Sequence, residues 1–195
     1  AGGRVGKSSH GANLLINSNP KEVFKIASEL DYFNKERKLL EEDALQKISK
    51  KVLEQLSDPV LVLSGENWHE GVIGIVASRI KDKFNKPVII ISVENNVGKA
   101  SARSIVGFDI GSIIIAAVQS NILIKGGGHK MAGGFSIKTE NIEKFKNFIF
   151  QKFRNNVKET SKEKPLYLDC IVAPSAINLD FYNKVHYLAP FGAGN

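Results

Sequence analysis

Disulfide bonds, cysteine-rich metal sites and membrane-spanning helices are excluded by what this sequence lacks. It contains one cysteine, Cys170, so no internal disulfide can form and no cluster of thiolates can hold a metal. Its longest apolar runs are far shorter than the ~18 residues that suggest a membrane span. Nothing at the N-terminus has the character of a signal peptide. A reducing, cytoplasmic location is therefore expected.

Residue patterns for hydrolytic catalysis are also missing. The sequence has no Asp-His-His run, no His-x-x-x-His pair and no cluster of carboxylates at metal-binding spacing. The neighbours of the four histidines do not form a two-metal site, which needs several Asp and His ligands; these histidines are His10, His69, His129 and His186. No nucleophile elbow is visible. We therefore predict no catalytic residue and no metal ligand in this chain, and no nuclease activity from it alone.

What the sequence does contain is an excess of positive charge. Lysine and arginine number 27 against 20 aspartate and glutamate residues, giving a formal net charge of +7. Such a balance allows binding to nucleic acid through neutralisation of phosphates. Lysine-rich composition also occurs for other reasons, such as an A/T-rich genome. The charge is therefore compatible with a nucleic-acid partner but does not identify one.

The most distinctive segment is 125–134, with the sequence Lys-Gly-Gly-Gly-His-Lys-Met-Ala-Gly-Gly. Adjacent glycines are unfavourable in helices and strands, so we predict a loop whose uncovered amides approach a ligand. His129 can donate a hydrogen bond to a phosphate or change its charge near neutral pH. The candidate nucleic-acid-binding residues here are Gly126, Gly127, Gly128 and His129. The glycines alone would equally fit a plain flexible turn.

Hydrophobic periodicity predicts a helical N-terminal region followed by an α/β domain. Apolar residues at steps of three and four indicate a long helix that starts after Asn19-Pro20 and continues to Leu56. Its length suits a connector between two domains; packing along a single domain is the alternative. The elements predicted next are a strand at 60–64, a helix at 70–84, a strand at 87–92, a turn at 95–96, a strand at 97–104, a helix at 109–120, a strand at 134–138 and a helix at 141–155. A strand at 166–172 and a short helix at 179–188 are predicted after a polar linker.

Trp68 and His69 lie at the predicted start of the 70–84 helix. A helix N-terminus attracts anions through its free amides and its dipole. An exposed Trp68 would stack on a base, and His69 would contact a phosphate. The alternative is that Trp68 belongs to the core and His69 is a neutral helix cap.

The predicted strand at 97–104 carries a second candidate set. Lys99, Ser101 and Arg103 alternate with small residues, so all three would share one face and bind phosphate, with Ser104 beside them. The alternative is that the charged residues only protect an edge strand from aggregation. Arg4, in the glycine-rich start of the chain, is a further candidate, although by itself it would fit a disordered terminus.

The glycine segment resembles the signature of the DHH-associated domain, which is roughly Gly-Gly-Gly-His, two residues, then Ala-Ala-Gly. Gly133 stands where that pattern has alanine. Essentially the whole chain resembles RecJ-type single-strand-specific exonucleases. The matching segments are 1–6, 30–37, 68–79, 101–104, 107–109 and 188–195. Within the signature at 68–79, Glu70 replaces a more usual proline.

This resemblance implies an α/β fold in which a small mixed-sheet DHH-associated domain is preceded by a long connector helix. It divides the chain into the end of a DHH domain at 1–18, the connector at 19–57, the DHH-associated substrate-binding domain at 58–158, and a linker with the start of an OB-fold domain at 159–195. Mn2+ or Mg2+ would be held by a catalytic DHH domain before residue 1. The chain is therefore expected to be a piece of a longer enzyme.

The function implied by the resemblance is substrate binding within a single-stranded-DNA-specific 5′-3′ exonuclease of recombination and repair. The partner would be single-stranded DNA, with a single-strand-binding protein or a helicase in the same pathway. Two alternatives remain open. One is a fragment of a nanoRNA or cyclic-dinucleotide phosphodiesterase of the DHH family, and the other is a non-enzymatic α/β nucleic-acid-binding module.

Overall fold

The computed structural model describes residues 2–156, 168 and 170–189. The chain divides into two compact units, residues 1–160 and 161–195, and the α/β architecture belongs to the first. Among the described residues, no helix combines the length and the apolar character that crossing a membrane requires.

Three helices precede the sheet: α1 (Gly2–Val5), α2 (His10–Ile16) and α3 (Pro20–Glu54). The long helix predicted from periodicity is confirmed and begins at Asn19-Pro20. The side chain of Asn19 accepts a hydrogen bond from the Lys21 amide at 3.0 Å, while proline at the first helical position has no amide to satisfy. With 35 residues, α3 is about 52 Å long at ~1.5 Å per residue.

The two halves of α3 pack against different elements. Its C-terminal half buries Ala44, Ile48 and Val52 against the first strand of the sheet and the helix that follows that strand. Its N-terminal half contacts α1 and α2, through residues such as Glu29, Leu30 and Phe33. The C-terminal half therefore belongs to the core of the α/β unit, and the N-terminal half carries the two short helices.

A mixed five-stranded sheet with three helices forms the rest of this unit. In chain order the elements are β1 (Leu61–Glu66), α4 (Glu70–Phe84), β2 (Val88–Glu94), β3 (Val97–Arg103), α5 (Ile110–Gln119), β4 (Lys125–His129), β5 (Ala132–Lys138), a 3-10 turn (Thr139–Asn141) and α6 (Ile142–Asn156). The strands lie in the order β1-β2-β3-β5-β4. The β1-β2 pair is parallel and the others are antiparallel, which confirms the predicted mixed-sheet α/β fold.

Local chemistry sets several boundaries where the sequence predicts them. Asn95 and Asn96 have φ angles of 49° and 62°, the left-handed values of a two-residue hairpin turn between β2 and β3. Asp109 caps α5, because its Oδ1 accepts a hydrogen bond from the Ser112 amide at 3.0 Å. The hydrogen bonds and backbone angles of this turn and this cap involve only residues within four positions of each other, so they do not depend on distant segments.

The glycine segment forms a strand, and its prediction as a loop is wrong. Residues 125–129 are β4, paired with β5. Helix α5 packs so closely on this strand that larger side chains would not fit. A Cβ on Gly126 would lie 2.8 Å from Cγ2 of Ile114, and a Cβ on Gly111 would lie 2.9 Å from the main chain of Gly128. Close helix packing and the hydrogen-bonded ladder outweigh the low strand propensity of glycine.

Two apolar layers cover the sheet, one on each face. On one face α3 and α4 pack on residues of β1 and β2, including Leu63 and Ile90. On the other face α5 and α6 pack on β1, β2, β3 and β5, through residues such as Ile89 and Phe135, and α5 also contacts β4. Because α4 lies over β2 and β3, the α4 side of β5 and β4 is left open.

The second unit contributes a 3-10 turn (Pro174–Ala176) and α7 (Leu179–His186), which confirms the short helix predicted at 179–188. The strand predicted at 166–172 falls partly outside the described residues, and its described positions, 168 and 170–172, have no regular structure. The segment 190–195, which carries part of the resemblance to the OB-fold boundary, also lies outside the described residues.

Candidate nucleic-acid interface

Strand register gathers polar residues on the open face of the sheet. Three rows of residues run across β3, β5 and β4 on this face: Lys99-Ser136-Lys125, Ser101-Gly134-Gly127 and Arg103-Ala132-His129. Successive residues of a strand point to opposite faces, so Lys99, Ser101 and Arg103 share this face. The first row carries Lys99 and Lys125, and the third carries Arg103 and His129. The row between them has two glycines, Gly134 and Gly127.

The first two rows of this face line an open groove of about 650 Å³ through Lys99, Ser101, Gly134, Ser136 and Lys125, with Glu70 and Ile73 of α4 on its wall. The Arg103 row continues the same face beyond this lining. Two glycines keep the floor low. A Cβ on Gly127 would meet no atom within 4 Å, and a Cβ on Gly134 would meet only the carbonyl of Ala100, at 3.3 Å. A ligand can therefore reach the sheet backbone between the positively charged rows.

Arg103 is a partly buried cation held by neutral groups. Its Nε donates to Ser78 Oγ at 3.1 Å, and its Nη1 donates to Ser101 Oγ at 3.2 Å and to its neighbour's carbonyl, that of Ala102, at 2.8 Å. Burial lowers the pKa of Arg103, and the positive charge of Arg4 lowers it further. No described carboxylate forms an ion pair with Arg103. A bound anion would supply the negative charge that no described side chain places beside Arg103.

Two glycines of α4 make this arrangement sterically possible. A Cβ on Gly74 would lie 2.9 Å from Ser101 Oγ and 3.0 Å from Arg103 Nη2, so only glycine leaves room for these side chains beneath the helix. A Cβ on Gly71 would lie 2.1 Å from the Arg4 carbonyl oxygen. The side chain of Arg4 in turn donates to the Gly71 carbonyl at 3.0 Å. The charge of Arg4 is thus brought to the Arg103 end of the groove.

A profile of the DHHA1 domain family matches residues 57–155, which include α4 and all five strands. The chain belongs to the DHHA1 domain family.

Two bacterial RecJ proteins are similar to most of this chain. The chain is 28% identical over 199 residues to the single-stranded-DNA-specific exonuclease RecJ of Bacillus subtilis (strain 168), covering 99% of this chain and 25% of that protein. It is 37% identical over 153 residues to the RecJ of Salmonella typhimurium (strain LT2), covering 74% of this chain and 26% of that protein. The chain therefore spans about a quarter of the length of these relatives.

Solved structures of RecJ from Thermus thermophilus share the fold. The complex with Mn2+ superposes on 100% of this chain with a TM-score of 0.84 at 27% identity, and the complex with Mg2+ does so with a TM-score of 0.80 at 28% identity. This chain covers 28% and 30% of those two chains. The resemblance to RecJ-type exonucleases expected from the motifs is confirmed.

Two residues predicted to bind nucleic acid are buried in the DHHA1 domain, so these predictions are wrong. Trp68 is 6% exposed and lies against Gly65, where a Cβ would be 2.4 Å from its ring. Ser104 is 1% exposed and joins the β3-α5 connection to the β4-β5 turn: its amide donates to Met131 at 2.9 Å and its hydroxyl to Phe108 at 2.5 Å. Stacking on Trp68 and contact with Ser104 are both prevented by the surrounding core.

The remaining predicted residues of the DHHA1 domain are two histidines and three glycines, and not all of them lie on the groove side of the sheet. His69 caps α4, since its Nδ1 accepts from the Gly71 amide at 3.0 Å, and its ring is exposed. His129 is exposed at the end of β4, on the same face as Arg103 and two strand spacings away, roughly 10 Å. A Cβ on Gly127 would point to the groove side of the sheet, whereas a Cβ on Gly126 or Gly128 would point to the opposite side; the main chain of Gly126 also lines the groove.

Several groove residues were not predicted from the sequence. They are Glu70, Gly71, Gly74, Ser78, Lys125, Gly134 and Ser136. Gly71, Gly74 and Ser78 recur at helical spacing and so lie on one face of α4, which is a signal that the sequence does contain. The register of β4 with β5 places Lys125, Gly134 and Ser136, and no local pattern predicts that register. Glu70 is placed by the packing of α4 over β3.

Divalent metals have no donor set in the described part of the DHHA1 domain. No group of three or more His, Cys, Asp or Glu side chains there could hold a metal ion. The acidic residue on the groove wall, Glu70, is engaged with Lys99 at 2.7 Å. The described residues therefore do not fit the Mn2+ or Mg2+ that the family resemblance implies.

Alanine at two neighbouring glycines of β4 should have opposite effects on stability. A Cβ on Gly128 would lie 2.5 Å from Ala132 O and Gly133 Cα, so we expect Gly128→Ala to lower the free energy of unfolding by about 1–3 kcal/mol. A Cβ on Gly127 would meet open space, and Gly127→Ala is expected to raise that free energy by up to about 1 kcal/mol. Urea denaturation of both variants measures the difference. Equal losses would contradict the assignment of the two glycines to opposite faces.

Proposed function

We propose that this chain is the substrate-binding part of a RecJ-type exonuclease and that its groove holds the backbone of single-stranded DNA. The observation that carries the proposal is Arg103. It is a partly buried cation beside Arg4, without a described carboxylate partner, at the edge of a groove floored by glycine. Such a site is suited to a phosphate, which would neutralise both arginines.

The shape and the chemistry of the groove favour contacts to the backbone of the strand. Gly127 and Gly134 expose main chain in the floor, and Ser101 and Ser136 offer hydroxyl groups beside it. Trp68 is buried and cannot supply a stacking platform. We therefore propose that the DHHA1 domain grips phosphates with little preference for base sequence.

Hydrolysis is proposed to take place in another part of the parent enzyme. The solved RecJ of Thermus thermophilus was crystallised with Mn2+ and with Mg2+, whereas the described residues of this chain offer no donor set for either ion. We propose a metal-binding DHH domain in the parent, with residues 1–18 as its end and 159–195 leading into an OB-fold domain. This chain alone would then bind DNA without cleaving it.

The similarity to RecJ exonucleases also supports a proposal for the biological setting. The parent would degrade single-stranded DNA from the 5′ end during recombination and repair, in the cytoplasm. A single-strand-binding protein or a helicase would act in the same pathway.

Binding to single-stranded DNA is expected to be weak and strongly dependent on salt. Lys125 in the groove, Arg103 on the same face and Arg4 near it are cations without a described ion-pair partner, so log K should fall with log salt with a slope of roughly −2. Fluorescence anisotropy with a 5′-labelled oligothymidylate of about 12 nucleotides, at several salt concentrations, measures it.

The same titrations contain the tests that would overturn the proposal. Absence of binding at low salt, or tight binding that does not respond to salt, would contradict a phosphate-binding groove.

The labelled strand should remain uncleaved in samples that are incubated with Mn2+. Release of nucleotides that a chelator stops, and that follows this chain through purification, would contradict the assignment of catalysis to another part of the parent.

A further inference from the structure

The groove contains two kinds of cation, and the difference between them comes from one carboxylate. Lys99 lies 2.7 Å from Glu70, the first residue of α4, and the two side chains are 59% and 46% exposed. The hydrogen bond from Lys99 to Glu70 raises the pKa of Lys99, so its ammonium group stays charged in this pair. Arg4, Arg103 and Lys125 form no ion pair within the described part of the chain.

Glu70 is also the acidic side chain among the residues that line the groove. A carboxylate on this wall repels phosphates, and its neutralisation depends on Lys99. A phosphate that contacts Lys99 would either share its ammonium group with the nearby Glu70 carboxylate, which repels it, or displace that carboxylate. The ion pair and the phosphate therefore compete for the same ammonium group.

We propose that Glu70 withholds Lys99 from the nucleic-acid backbone and thereby sets the affinity of the groove. The inference rests on the proposed function, because it concerns how tightly the groove holds a phosphate chain. Glu70 and Lys99 together add almost no net charge to the wall, so the grip comes from Lys125 on the far strand and from Arg103 at the other end of the face. A weak hold on the α4 side lets a strand be released and moved.

The chain offers a matched control for the removal of this carboxylate. Asp43 and Lys47 form an ion pair on α3 with the same 2.7 Å separation and similar exposure, 55% and 57%, outside the groove lining. Glu70→Gln and Asp43→Asn each raise the net charge by one and each free one lysine. Only Glu70→Gln frees a lysine inside the groove.

The test compares five proteins by anisotropy with labelled oligothymidylate at several salt concentrations: the wild-type chain, E70Q, D43N, K99A and the double variant E70Q/K99A. We expect E70Q to bind roughly three- to tenfold more tightly at low salt, with a salt slope steeper by roughly 0.7. D43N should stay within about twofold of the wild type, because Lys47 lies outside the groove. K99A should weaken binding, because it leaves the Glu70 carboxylate without its neutralising partner, and K99A in the E70Q background should remove the gain.

Each other outcome overturns the inference in a distinguishable way. Equal or weaker binding by E70Q, while the wild type binds, refutes the role of Glu70 and leaves the proposed function intact. An equal gain in E70Q and D43N means that only net charge matters. A gain that survives in E70Q/K99A shows that Lys99 is not the group released. No binding by any of the five proteins at low salt overturns the proposed function together with this inference.

Discussion

Glu41→Ala is expected to lower the free energy of unfolding by about 3–5 kcal/mol. Glu41 is 2% exposed on α3, with Arg37 Nη1 2.5 Å from its Oε2 and Arg79 Nε 2.7 Å from its Oε1. The Arg79 contact has the distance of an ion pair without the alignment of a hydrogen bond. Because Arg79 lies on α4, the carboxylate holds α3 and α4 together. Its removal leaves two arginines facing each other across that interface, and urea denaturation measures the loss.

A control for this variant lies two residues further along α3. Asp43 also pairs with a lysine four residues on, Lys47, but both side chains are more than half exposed. Asp43→Ala should change the free energy of unfolding by less than about 1 kcal/mol, since exposed ion pairs contribute little. Losses of similar size in the two variants would show that Glu41 contributes no more than a surface pair, and the proposed joining of α3 to α4 would fail.

Arg103→Ala is expected to weaken binding of single-stranded DNA by about 1.5–3 kcal/mol, because it removes a partly desolvated charge-assisted contact. This corresponds to a loss of affinity of roughly 10- to 150-fold. The affinity of Arg103→Lys should lie between those of the wild type and Arg103→Ala, since lysine keeps the charge but loses the planar, bidentate geometry of the guanidinium. Anisotropy titrations at one low salt concentration, in this chain and in the full-length parent, measure the series.

Charge and stability controls are needed to interpret the Arg103 series. Lys144→Ala removes one positive charge from the exposed side of α6, on the opposite face of the sheet, and should leave DNA affinity within about twofold of the wild type. The melting temperature of Arg103→Ala should stay close to that of the wild type, because its partners are hydroxyl and carbonyl groups near the surface. Lost stability with intact DNA affinity would mean that Arg103 is structural.

The elements that could be predicted from the sequence are those fixed by short-range chemistry. Helix α4 has the bounds that periodicity predicts, 70–84. The Asn95-Asn96 turn and the Asp109 cap also follow from the residue types alone. Each of these signals acts within about four residues, so no knowledge of the tertiary fold is required to read it.

The predictions that failed concern residues whose surroundings come from distant segments. Trp68 was predicted to be exposed because it precedes a helix, but α3 and β1 bury it. The glycine segment was predicted to be a loop because glycine has low strand propensity, but α5 packs where only glycine fits. The acid that engages Lys99 is separated from it by 29 positions in sequence, and no local pattern relates Glu70 to Lys99.

The sequence by itself determined which chemical groups are available, and through strand alternation it determined that Lys99, Ser101 and Arg103 share a face. Only the tertiary structure decided what each of them can do there. Helix α4 partly buries Arg103 among hydroxyl groups and engages Lys99 through Glu70, while the β4-β5 pairing adds Lys125 and His129 to the same face. Burial and ion pairing depend on which surface lies opposite a side chain, and that surface comes from elements far away in the sequence.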